Sequence, residues 1–287
     1  MKHFIDIADH SVEVIKDLVQ LALEQKKHKQ YSTEFKNKIL GLIFEKPSLR
    51  TRVSFEVGFS QLGGQSITLK QDEIGLDSRE KVEDVAKVLS RYIDIVMIRT
   101  HEHQFITRFA NAATIPVING LTNKSHPCQA MADILTIYEN FNQLNDLKVV
   151  YFGDPNNVSY SLSQLAGLFN FTLVLASPNK PKQLLPNVSY EKDPNIAVKG
   201  ADVLYTDTWV SMGEKVDKNY IKSLGAYQIN NELLATCSLN TIILHCLPAY
   251  HDKEITTAVL NCEQSKVFDQ AENRLHAQKA IMLGLLS

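Results

Sequence analysis

Short apolar runs recur along the chain at 39–44, 93–99, 115–119, 148–152, 172–176, 203–206 and 241–245, with helix-period patterns in the intervals. This alternation constrains the fold more than any other feature, because parallel strands are joined only by crossovers long enough to hold a helix. It predicts an α/β fold with mainly parallel sheets flanked by helices. A length of 287 residues exceeds one ordinary domain, so two sheets in series are expected. The boundary is placed between 143 and 144, where a helix expected over 126–141 gives way to the polar NQLND and a new strand. Residues 1–143 would form one domain and 144–269 the other, with a C-terminal amphipathic helix beyond, docked through Leu275, Ala280, Ile281 and Leu285. The first helix is expected over 11–27, capped by Ser11, with Ile15, Leu18 and Ala22 on one face.

Charge and cysteine usage narrow the function. A formal net charge of -2 lacks the basic excess that displaces counterions from nucleic-acid phosphates, so no nucleic-acid partner is expected. The four cysteines, Cys128, Cys237, Cys246 and Cys262, form no C-x-x-C pair, a usage that fits a reducing cytosol. MKHFIDIADH lacks the apolar stretch of a signal peptide, and no run approaches the length of a membrane span. The expectation is a cytoplasmic protein with no membrane partner. Nine histidines form no H-x-x-x-H or H-E-x-x-H pattern, and no metal or other cofactor is expected.

Polar clusters fall where strands should end. In PSLRTR, at 47–52, Ser48 and Thr51 offer hydroxyls and Arg50 and Arg52 offer planar forks. The helix expected next would aim free backbone N–H groups at the same point, which suits phosphate. The plainer alternative is a solvated basic turn with a helix cap. SHPCQAMAD, at 125–133, puts His126 at an N-cap before Pro127 and Gln129 about one turn on, suited to a carbonyl-bearing group. Capping alone is the other reading. YFGDPNNVS has one glycine where a dinucleotide fingerprint needs three, so Asn156 and Asn157 are read instead as amides at a sheet's ligand-binding edge. DTWVSMG offers Asp207 beside a flexible loop, suited to an amino group. In HCLPAY, strand alternation sends His245 and Cys246 to opposite faces, which disfavours a thiol nucleophile activated by that histidine.

In this order S-L-R-T-R at 48–52, M-I-R-T at 97–100, H-P-C-Q at 126–129, D-T-W-V-S-M-G at 207–213, H-C-L-P at 245–248 and A-E-N-R at 271–274 resemble the aspartate/ornithine carbamoyltransferase family, and within it the ornithine branch. The resemblance spans nearly the whole chain. It implies two domains facing across a cleft, a C-terminal helix returning to the first, and a homotrimer with sites at subunit interfaces. It also implies carbamoyl transfer from carbamoyl phosphate to the δ-amine of L-ornithine, giving L-citrulline and phosphate, as in arginine biosynthesis. Carried over by position, Ser48, Arg50, Thr51 and the backbone at Leu49 would hold phosphate. Arg99, His126 and Thr51 would polarise the carbonyl, Gln129 and the Leu247 carbonyl would take the amide nitrogen, and Arg274 would close the site. Ornithine would lie against Asn157, Asp207, Ser211 and Met212, with Cys246 near its side-chain nitrogen, Asn156 being the less favoured amide.

The chemistry agrees with those assignments. A neutral amine attacks, charge builds on the carbonyl oxygen and phosphate leaves, so donors around oxygen and phosphate supply most of the catalysis. Three places in the chain depart from the family pattern. Leu49 stands where threonine is common, Gly75 where many relatives carry glutamine, and Tyr250, His251 and Asp252 replace H-R-G. Ser78 and Arg79 are the candidates to complete a neighbouring subunit's site. The rival readings are a carbamoyltransferase for putrescine or an N-acylated ornithine, and a noncatalytic carbamoyl phosphate binder.

Overall fold

The computed structural model describes residues 1–27, 32–70, 74, 80–210 and 217–286. They form two compact units, Met1–Leu135 with Asn273–Ser287, and Thr136–Glu272.

The first unit holds a four-stranded parallel sheet in the order β2-β1-β3-β4. Its strands are β1 (Ile39–Phe44), β2 (Gln65–Lys70), β3 (Ile95–Arg99) and β4 (Val117–Leu121). Helices α1 (Val12–Lys27), α2 (Leu49–Gln61), α3 (Val82–Leu89) and α4 (His103–Ala112) belong to this unit. β1 reads ILGLIF and is buried along its middle four residues, as an inner parallel strand covered on both faces must be. Phe44 lies opposite Arg99 across the β1–β3 pair. The chain turns one way from β1 to β2 and the other way to β3, so the strand order reverses beside β1. Open α/β sheets bind ligands outside the carboxyl ends of the strands at such a reversal.

The second unit holds a five-stranded parallel sheet in the order β7-β6-β5-β8-β9. Its strands are β5 (Lys148–Phe152), β6 (Thr172–Ala176), β7 (Val188–Glu191), β8 (Val203–Thr206) and β9 (Ile242–His245). The reversal here lies between β5 and β8, with Phe152 opposite Thr206. Val150, Phe152, Leu204 and Ile243 pack in one apolar cluster with Ile229, Ile255, Val259 and Val267.

Four more helices are used here: α5 (Pro127–Phe141), α6 (Asn157–Phe169), α7 (Lys218–Leu224) and α8 (Val267–Leu286). The division between the units falls inside α5 and inside α8. The C-terminal helix is not the amphipathic element expected. From Asn273 to Leu283 only Leu275, one of the four expected docking residues, escapes full burial. Ala280, Ile281 and Leu285 are buried, but so are Asn273, Arg274, His276, Gln278 and Lys279. Two of these polar residues are held from other elements: Lys26 Nζ donates to Asn273 Oδ1 at 2.9 Å, and Lys279 Nζ to Gln61 Oε1 at 3.3 Å. Gly58 makes room for the helix, since a Cβ there would lie 3.1 Å from Lys279 Cγ.

Candidate active site

At the end of β1 the chain enters α2 through Ser48, whose extended backbone and side chain cap the helix by accepting the Thr51 N–H at 3.3 Å. The cap and a ligand role are compatible, because capping uses one acceptor and leaves other first-turn N–H groups available. Arg50 is half-buried and Thr51 fully buried. Arg52 departs from the expectation. Residues two apart on a helix point about 200° apart, and Arg52 faces outward, its Nε 2.9 Å from Glu56 Oε1.

Thr51 is where the first unit's cations meet. Its Oγ1 receives Arg99 Nη1 and Arg274 Nη2, each at 3.3 Å. Arg274 also donates through Nη1 to Gln129 Oε1 at 2.7 Å, and Gln129 Nε2 donates to Asp133 Oδ1 at 2.8 Å. A register shift between Ile98 and Arg99 in the β3–β4 pair sits immediately before the arginine, the kind of irregularity that re-aims a side chain. Gly120 fills that shift because a Cβ there would collide with the Met97 sulfur. Glu45 pins the turn after Arg99, accepting from the Thr100 hydroxyl and, at 2.9 Å, from the His101 N–H.

His126 is buried just before α5. Burial, and next the charges of Arg274 and Arg99, hold its pKa well below the usual histidine range. It is therefore a neutral imidazole through the physiological range, fit to meet a carbonyl by hydrogen bonding rather than to add another cation. Its turn is fixed from behind: Asn119 Nδ2 donates to Ser125 Oγ at 3.1 Å, and Cys128 Sγ to the Asn119 carbonyl at 3.3 Å. Burial pushes the Cys128 thiol up to about 12, which makes it unreactive packing.

The second unit arranges a separate cluster at the ends of β5, β8 and β9. Asn156 caps α6, its Oδ1 accepting from the Val158 and Ser159 N–H groups, while its Nδ2 donates to Asp207 Oδ2 at 2.8 Å. Asn157, the amide favoured from sequence, is the first residue of α6 and half-buried. Asp207 Oδ1 receives the Thr208 N–H at 2.7 Å and Cys246 Sγ at 2.9 Å. Cys246 and His245 engage different partners. His245 is buried, its Nδ1 accepting the Leu247 N–H at 2.9 Å, which leaves the ring proton on Nε2 for Glu254 Oε1 at 3.1 Å. Glu254 Oε1 also takes the Tyr250 N–H at 2.6 Å. The turn so pinned contains Leu247 at φ 55 and a cis Leu247–Pro248 bond.

One ligand atom each from Asp207, His245 and Cys246 lies within 4.8 Å of the others. Both His245 ring nitrogens are already engaged by protein groups, so the imidazole offers no lone pair for a metal in this arrangement.

Each half thus has the donors that its strand-end position calls for. Models of two domains match the chain consecutively: the aspartate/ornithine carbamoyltransferase carbamoyl-P binding domain over residues 2–139, and the Asp/Orn binding domain of the same proteins over 145–285. The chain belongs to the aspartate/ornithine carbamoyltransferase family. An ornithine carbamoyltransferase of Archaeoglobus fulgidus is 44% identical over 300 residues, covering 100% of this chain and 98% of that relative. The solved ornithine carbamoyltransferase of Pyrococcus furiosus superposes with a TM-score of 0.93 at 38% identity, covering 99% of this chain and 96% of that one. A solved N-acetyl-L-ornithine transcarbamylase is less similar, with a TM-score of 0.89 at 29% identity over 99% of this chain and 100% of that one.

For a member of the carbamoyltransferase family, several contributing residues escaped the sequence reading. Glu45, Asp133 and Glu254 act on the backbone or side chains of motif residues. Asp133 alone left a sequence signal, four positions after Gln129 and so one helical turn on. Ser211 and Met212 lie outside the described residues, as do Gly75, Ser78 and Arg79. Where the family's H-R-G is replaced, Asp252 caps the following turn, its Oδ1 accepting the Thr257 N–H at 2.9 Å.

Proposed function

We propose that this chain is an ornithine carbamoyltransferase, converting carbamoyl phosphate and L-ornithine to L-citrulline and phosphate. The observation that carries the reading is the convergence of Arg99 and Arg274 on Thr51, one turn into a helix that follows a strand end at a sheet reversal. Two guanidinium groups, a hydroxyl and first-turn N–H groups suit a phosphate dianion and a developing oxyanion together.

In this reading Ser48, Arg50, Thr51 and the Leu49 backbone bind the phosphate. Arg99 and neutral His126 polarise the carbamoyl carbonyl, Gln129 and the Leu247 carbonyl take its nitrogen, and Arg274 contacts the ligand as it is engaged. Asp207, Asn157, Ser211, Met212 and Cys246 receive ornithine. The Asn156 bond to Asp207 supports a carboxylate held in place for an amino group. The δ-amine attacks as the free base, the carbon–oxygen bond to phosphate breaks and the departing phosphate takes the amine proton, with no covalent enzyme intermediate. The finer calls follow from the same reading: a cytoplasmic enzyme of arginine biosynthesis, and a homotrimer with sites at subunit interfaces. An exposed apolar stripe of Leu49, Val53 and Val57 along α2 supports self-association. Among the described residues no helix is long and apolar enough to cross a membrane.

The test is turnover by purified protein with ornithine, putrescine and N-acetylornithine in parallel. Citrulline formed from ornithine well above the other amines is expected. Preference for either rival amine would overturn the acceptor assignment, and no product with any amine would leave the noncatalytic binder.

A further inference from the structure

Carbamoyl phosphate presents a planar amide nitrogen that donates two hydrogens and accepts none, so whatever recognises it must be an acceptor. Gln129 can offer either kind of group, because half a turn of its carboxamide exchanges an acceptor for a donor. Its orientation in the first unit is set by two neighbours of opposite chemistry. Asp133, one turn further along α5 and fully buried, takes Nε2 at 2.8 Å. Arg274, a donor only, meets Oε1 at 2.7 Å. Asp133 Oδ1 accepts here and a guanidinium can only donate, so both neighbours favour the same orientation. Oε1 has a second lone pair beyond the one Arg274 uses.

We propose that Asp133 is a positioning residue that locks the Gln129 carboxamide with its oxygen toward the ligand, and thereby makes the pocket select a phosphorylated group bearing NH2 over one bearing a methyl. The inference rests on the reading of this half-site as the carbamoyl phosphate pocket. In that reading Arg274 is drawn to the ligand, whereas Asp133 lies behind Gln129 and keeps its hold. A buried carboxylate with a merely structural role would support α5 without regard to which phosphorylated ligand is bound. Its loss would weaken all such ligands alike.

Carbamoyl phosphate and acetyl phosphate differ by NH2 against CH3, and calorimetric binding of each to the full chain reads the selectivity directly. The wild type should bind carbamoyl phosphate about tenfold tighter or more. In Asp133→Asn, whose amide no longer dictates the orientation, that ratio should fall toward one while acetyl phosphate affinity changes less than about threefold. In a Gln129→Met background the same substitution should not move the ratio further. Equal weakening of both ligands in Asp133→Asn, or a preserved ratio, would overturn the proposal. Should that variant fail to fold, a crystal structure of the wild type with carbamoyl phosphate decides: Oε1 within about 3.2 Å of the ligand nitrogen is expected, and Nε2 on that side overturns it. If the wild type forms citrulline but Asp133→Asn leaves the ratio unmoved, only the role of Asp133 is refuted. A wild type that binds neither phosphate refutes the pocket assignment with it.

Discussion

At the scale of single residues, Thr51 holds one hydroxyl between two guanidinium groups. Thr51→Val keeps the shape and removes the oxygen. Hydrogen bonds to charged groups are worth about 1.5–3 kcal/mol, so kcat/KM should fall about ten- to a hundredfold with the melting temperature little changed. Turnover equal to wild type would show that the hydroxyl is a bystander. Arg50→Ala should cost about 2 kcal/mol or more of transition-state stabilisation, and unchanged turnover there would remove the phosphate assignment. Activity should rise from neutral toward alkaline pH, because the attacking amine must lose its proton while His126 is already neutral. A flat profile would contradict this. Ser48, Arg50 and Thr51 were singled out because hydroxyl and guanidinium groups crowd one turn, and His126 because it sits at the start of another helix. Arg52 was misjudged because counting arginines ignores the helical period that turns it to Glu56.

At the scale of elements, strands with an apolar run announce themselves, edge strands β4 and β9 among them, and polar edge strands do not. β1, β5, β6 and β8 occupy the predicted apolar runs, while β2 (QSITLK) and β7 (VSYE) were missed. Both lie at sheet edges, where half-exposed polar residues dilute the apolar signal. The register shift before Arg99 was equally silent, since it depends on pairing between β3 and β4 rather than on either strand alone. Gly120 tests its importance. Gly120→Ala should destabilise by about 1–3 kcal/mol through the clash with Met97 and lower activity by moving Arg99. Adding Met97→Ala should recover part of the stability, so that denaturant midpoints of the pair are non-additive. Strict additivity would show that the two side chains do not compete for the same space. The C-terminal helix was read as amphipathic because its polar residues are periodic. Asn273 and Lys279 are buried against partners on other elements, Lys26 and Gln61, which no local pattern contains.

At the scale of the whole molecule, several histidines are held neutral by burial. The pKa values of His3, His10, His103 and His126 are all lowered from 6.5, with desolvation the largest cause in each. Below that value the unfolded chain takes up protons that the folded chain refuses. These groups therefore leave stability intact above about pH 6.5 and reduce it as pH falls toward their folded values. Urea midpoints should decline between pH 7 and 5.5, and a constant midpoint would contradict the burial of these imidazoles. Two sheets in series and their strand ends were readable from the alternation of strand and helix, because parallel topology leaves few other solutions. The acceptor's identity was less so, because ornithine and its rival amines would be told apart within one short stretch, D-T-W-V-S-M-G. The most direct measurement is citrulline formed by the purified chain from carbamoyl phosphate and ornithine. Robust, ornithine-dependent product, abolished or strongly reduced in Arg99→Ala, is the predicted result. Binding of carbamoyl phosphate with no citrulline at any pH between 7 and 9 would contradict the assignment of this chain as a carbamoyl-transferring enzyme for ornithine.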